Sequence, residues 1–214
     1  MSPDSRRGKA APSVRFVDEV VELAAVFAST TSVVTLRRAP WNGLMNDALR
    51  ASTTPGFRRV AEFTPETAMQ SLGKELDGFP HLVADVQLWA EVLVELTGCK
   101  SVGLRIAVMQ SPMCPRLHVD LVTLRLVVTY LGPGTEFVSN HQVDRNQLGH
   151  KAGDRTDEES GLLLAPGCVQ RAGRFDVVLL KGEAWPENKG FGAVHRSPPM
   201  HGASPRLVMT LDPL

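Results

Sequence analysis

From Leu117 to Leu131 the chain reads LHVDLVTLRLVVTYL, and no other segment narrows the choice of fold as much. Val, Leu and Thr fill it, a composition too β-branched to prefer a helix over a buried strand pair. Gly132-Pro133-Gly134 forces a turn behind it, and Thr135 to Val138 restarts a short extended segment. A final apolar run, Leu207 to Leu211, closes the chain. The second half is therefore expected to be rich in strands.

His118-Val119-Asp120 lies at the head of the first run. A strand points residues i and i+2 to one face, so an imidazole and a carboxylate in H-x-D can grip a single cation. His195 follows the apolar pair Ala193-Val194 and is the second histidine of the set, whereas His201 falls in a Pro-rich loop and is read as a rim residue. Two histidines and a carboxylate leave positions open on an octahedral metal, as non-haem Fe(II) oxygenases require. Arg206 heads the closing run, and a guanidinium buried there needs a carboxylate partner. Arg125, five residues after Asp120, is expected on the face away from the metal if the strand is regular. Ser197 shares the face of His195 and is read as a partner that steadies its imidazole. Cys114 opens an alternative. Its thiolate beside two imidazoles and a carboxylate would close a tetrahedral zinc site in a cupin-like metal-binding protein without oxygenase activity.

Upstream, Val14 to Ala28 is expected to be helical, Ser32 to Leu36 a strand, Trp41 to Ala51 a helix and Phe57 to Phe63 a strand. Pro80 to Leu96 carries the plainest helical signal. Leu82, Val83, Val86, Trp89, Leu93 and Leu96 recur near helical period, Pro80 starts the helix and Gly98 stops it. The polar stretch from Ser139 to Gly161 is expected to be a loop with too few apolar residues to enter a core, and loops of that length are often functional. Its His141 and His150 are read as exposed. The class is thus α+β. Residues 1–13 are expected to form a disordered tail and 14–214 a single domain, with an α/β support region over 14–100 and a β core over 101–214 that carries the loop 139–161.

With 214 residues, 43% of them hydrophobic, the chain can build one ordinary core. Its formal charge of zero gives no global field to attract nucleic acid or an anionic membrane surface. No apolar run of membrane-spanning length occurs, and the N-terminus lacks a signal-peptide pattern. Three cysteines without a C-x-x-C leave one unpaired under any disulfide scheme, which places the protein in the reducing cytoplasm.

Taken in order, these segments resemble the Fe(II)/2-oxoglutarate-dependent dioxygenases from about Val102 to Leu211. Gly173 to Leu180 resembles the turn and strand that feed their barrel, Ala193 to Ser197 their distal-histidine strand, and Arg206 to Asp212 their last strand. The stretches CPRLHVD, TYLGPGTEF, VHRSP and RLVMTLD are also similar to an uncharacterised bacterial family defined only as a domain of unknown function. The resemblance implies a double-stranded β-helix of the jelly-roll or cupin-like kind, with the 80–97 helix outside it. It implies Fe(II) on His118, Asp120 and His195, and 2-oxoglutarate as co-substrate with its far carboxylate on Arg206, helped by Tyr130 and Thr210. The implied activity is hydroxylation or demethylation of a small molecule or a protein side chain. Zinc remains the alternative metal.

Overall fold

The computed structural model describes residues 13–149, 155–200 and 204–214. The tail before Ser13, His150 and His201 lie outside them. Strands β1 (Val14–Val17), β2 (Val33–Leu36), β3 (Arg58–Phe63), β4 (Val102–Met109), β5 (Leu124–Leu131), β8 (Val177–Lys181) and β10 (Arg206–Pro213) form a seven-stranded sheet in the order β1-β2-β8-β5-β10-β4-β3. Strands β6 (Glu136–Val138), β7 (Val169–Arg171) and β9 (Val194–Arg196) form a three-stranded sheet in the order β7-β6-β9. Helices α1 (Asn42–Thr53), α2 (Ala68–Glu75) and α3 (Pro80–Thr97) complete the mixed α+β architecture.

The large sheet is buried on both faces over its centre, and strand parity sorts its side chains into two cores. Leu126, Val128, Leu179, Met209 and Leu211 face the helices and join Leu82, Val86, Trp89 and Leu93 of α3 in the main core. Val33, Val127, Val178, Leu180 and Val208 point the other way and meet Phe137 of the small sheet. A third cluster, with Leu117, Val138, Val143, Leu162 and Val194, fills the space behind the small sheet. Helix α3 runs as its periodicity predicts, with Pro80 in its first turn and Gly98 capping it at φ 65°.

Three expectations need correction. Val14 to Ala28 is not one helix, because Val14–Val17 pairs in parallel with β2 and only Val20–Phe27 winds, as a 3-10 helix. Edge pairing overrides local propensity there. The division near residue 100 does not separate a support region from the sheet, since β1, β2 and β3 supply three of its seven strands. The segment after Ser139 is largely irregular, yet it does reach a core: Val143 is buried and bridges Leu163. Among the described residues no helix is long and apolar enough to cross a membrane.

Candidate metal centre

His118 does not lie within a regular strand. It forms an isolated antiparallel bridge with His195 of β9, each backbone N–H donating to the other's carbonyl at 3.0 Å. This bridge brings the two imidazoles together, their ring centroids 4.5 Å apart. His118 Nδ1 lies 2.8 Å from the Arg116 carbonyl and His195 Nδ1 lies 3.0 Å from that of Ala193. A carbonyl can only accept, so in each neutral ring Nδ1 carries the proton and Nε2 presents its lone pair. Asp120 completes the group, with Oδ1 at 3.6 Å from His118 Nε2 and Oδ2 at 3.3 Å from His195 Nε2. One ligand atom from each residue lies within 4.8 Å of the others.

The electrostatics hold Asp120 as the anion. Burial would raise the Asp120 carboxyl, but hydrogen bonds to His118 and His195 and the positive charge of Arg125 outweigh it and hold the group well below the usual carboxylate range. The hydrogen bond with Asp120 raises His118, against burial. Cys114 is exposed and stands outside the cluster, so the zinc alternative loses its fourth ligand. Its backbone N–H faces Ser197 Oγ at 3.4 Å. Ser197 therefore does not steady His195; the Ala193 carbonyl does.

Backbone packing holds the Asp120 segment. Gly182 N–H donates to Thr123 O, and Glu183 N–H donates to Asp120 O, both at 2.9 Å. A Cβ on Gly182 would overlap the Val122 carbonyl. Gly182→Ala is expected to cost about 1–3 kcal/mol and to weaken metal binding as the Asp120 segment moves. Urea midpoints and metal titrations check this, and unchanged values would show that the approach is slack.

Arg206 enters the same cavity from β10. Its burial is nearly complete, at 4% exposure. Nε donates to Pro133 O at 2.9 Å, and Nη2 donates to Thr129 Oγ1 at 3.0 Å and Thr135 Oγ1 at 2.9 Å. Among the described residues it has no carboxylate partner, and burial pushes its pKa down to about 10. The Gly-Pro-Gly turn wraps it closely: Gly132, at φ 81°, would place a Cβ 3.1 Å from Arg206 Cα. His118, Arg125, Thr135, His195, Arg206 and Thr210 share one cavity of about 70 Å³ between the sheets. A larger cavity, about 550 Å³, lies behind the small sheet beside Glu136, Arg171 and Arg196. Those charges pair with one another, so it offers no convergent unpaired group.

Two assignments change. Tyr130 is on the helix face of β5, where its hydroxyl donates to Asp85 Oδ2 at 2.8 Å, and it does not reach the cavity. Arg125 has the parity of Val127 and Thr129 and faces the cavity. Counting from Asp120 fails because the strand begins only at Leu124. Sequence reasoning also missed Asp157, a buried carboxylate that accepts from Arg116 Nε, Leu117 N and Arg196 Nη1 at 2.8–3.0 Å. It thereby ties down the residues flanking both histidines. No spacing in the sequence signals it.

A model of the family described as protein of unknown function, DUF1826, matches residues 17–212. The chain belongs to this family. The likeness extends to the fold of solved dioxygenase structures. The rice dioxygenase for auxin oxidation superposes with a TM-score of 0.52 at 14% identity, covering 94% of this chain and 83% of its own. Dioxygenase for auxin oxidation 1 from Arabidopsis thaliana, as its 2-oxoglutarate binary complex, gives 0.51 at 9% identity, covering 94% and 91%. Apo HygX from Streptomyces hygroscopicus gives 0.50 at 13% identity, covering 90% and 85%. At such identities the DUF1826 chain shares their fold. No curated protein matches its sequence.

Proposed function

We propose that this DUF1826 chain is a non-haem Fe(II)- and 2-oxoglutarate-dependent oxygenase of the hydroxylase or demethylase type. Its substrate would be a small molecule or a protein side chain. The observation that carries the reading is a three-residue donor set whose two histidines line the same cavity as a buried arginine that has no carboxylate partner among the described residues. The donor set fits Fe(II): two imidazole nitrogens and one carboxylate, with no fourth ligand in the cluster among the described residues. His118, Asp120 and His195 would hold the metal. When bound, Fe(II) with 2-oxoglutarate and oxygen supplies oxidation of a C–H bond, coupled to decarboxylation of the 2-oxoacid to succinate. The 2-oxoglutarate complex of the Arabidopsis relative supports that choice of co-substrate.

The chain's own residues bind and orient. The backbone carbonyls of Arg116 and Ala193 hold the protons of the two imidazoles at Nδ1, away from the metal. Arg206 would receive the far carboxylate of 2-oxoglutarate through Nη1, while Pro133, Thr129 and Thr135 engage its other two nitrogens and hold the guanidinium in place. Thr210 lies on the same wall, and Val127 and Val208 make the intervening surface apolar. We take the two sheets as the walls of a double-stranded β-helix in a single domain spanning 14–214. Free Cys99, Cys114 and Cys168 suit a cytoplasmic protein.

The test is anaerobic titration of Fe(II)-loaded protein with 2-oxoglutarate, monitored by the weak visible charge-transfer band of the chelated 2-oxoacid. The band is expected in the wild type. Arg206→Ala should keep the metal and lose about 2–5 kcal/mol of co-substrate affinity. Tight metal binding without the band would defeat the oxygenase reading.

A further inference from the structure

Arg125 stands between two carboxylates on one wall of the cavity. Nη1 donates to Asp120 Oδ2 at 2.6 Å, while Nε and Nη2 donate to the two oxygens of Asp212, both at 2.7 Å. All three side chains are largely buried, at 24% exposure for Arg125, 17% for Asp120 and 25% for Asp212. The bidentate grip of Asp212 sets the plane of the guanidinium, which leaves Nη1 aimed at Asp120.

Asp120 needs such a support. It lies in the irregular stretch between the His118 bridge and the start of β5, where no ladder orients its side chain. Arg125, by contrast, is in β5, and Asp212 lies one step past the Leu211–Leu126 pair on the neighbouring strand. Two paired strands thus carry the clamp, and the segment outside the ladder carries the ligand.

We infer that Arg125, braced by Asp212, is a positioning residue that holds Asp120 by Oδ2 and leaves Oδ1 as the oxygen offered to a cation. The inference rests on the metal-centre reading above. The clamp also sets charge: one guanidinium against two carboxylates leaves a single net negative charge beside the histidines, where Asp120 and Asp212 alone would leave two. Lysine could supply the charge but could not bridge both carboxylates in one plane.

The experiment is titration with Co(II), followed by its visible ligand-field bands, on the wild type, Arg125→Gln, Arg125→Lys and Asp212→Asn. Thermal unfolding of each metal-free protein is recorded alongside. Arg125→Gln is expected to raise the Kd for Co(II) about 10–100-fold and to shift the bands; Arg125→Lys should recover only part of the loss. A purely structural role would lower the melting temperature and leave Kd and bands of the folded protein unchanged, which overturns the inference. If Arg125→Gln does not fold, Asp212→Asn decides, because it removes the bracing charge without loss of bulk; unchanged Kd and bands there overturn the inference equally. No Co(II) uptake by the wild type would instead overturn the metal-centre reading, and this inference with it.

Discussion

The double replacement His118→Ala, Asp120→Ala is expected to abolish stoichiometric Fe(II) binding. Two of the three convergent donors go, and His195 alone keeps one imidazole nitrogen. The fold should survive: His118 and Asp120 are only partly buried, and the backbone bridge between positions 118 and 195 does not use their side chains. Metal analysis after desalting and isothermal titration measure the loss, and circular dichroism checks the fold. Full metal stoichiometry in the double variant would remove the site assignment.

The largest expected effect on stability lies on the opposite face of the sheet. Asp85 of α3 is fully buried inside the apolar stripe of its helix. Its oxygens accept from Arg38 Nη1 and Nη2 at 2.5 and 2.8 Å, from Trp89 Nε1 at 3.2 Å and from Tyr130 Oη at 2.8 Å. Arg38 also stacks over the Trp89 ring at 5.0 Å. Asp85→Ala would leave a largely buried guanidinium without its counter-charge and two ring donors without their acceptor. Breaking a buried pair from one side costs about 3–5 kcal/mol, a large part of the stability of an ordinary domain. Urea denaturation measures it, and a change below about 1 kcal/mol would place the network in solvent rather than in the core.

The contrast between these two sites explains what was legible. His118, Asp120, His195 and Arg206 stand out in the sequence because each marks the head or the interior of a recognisable β segment, and their order along the chain matches a known pattern. Arg125 and Tyr130 of β5 were both assigned to the wrong face. Strand β5 is covered by helices on one side and by the small sheet on the other, so apolar residues fill both parities and the alternation that marks an inner face disappears. Parity relative to Asp120 gave no help, because the chain between them is irregular.

Asp85, Asp157 and Asp212 were silent for a different reason. Each is an ordinary carboxylate in sequence, and each takes its meaning from an arginine 39 to 87 positions away. Likewise β1 is a strand only because β2 offers it an edge.

The sequence by itself determined the α+β class, the helix from Pro80 and the strand that ends in the Gly-Pro-Gly turn. These depend on periodicity and turn chemistry, which act over a few residues. Only the tertiary structure decided which face of each strand became the cavity wall, which arginine stayed without a carboxylate and which was clamped by two. Burial and charge pairing are properties of neighbours in space, and a chain of this length brings those neighbours from anywhere along it.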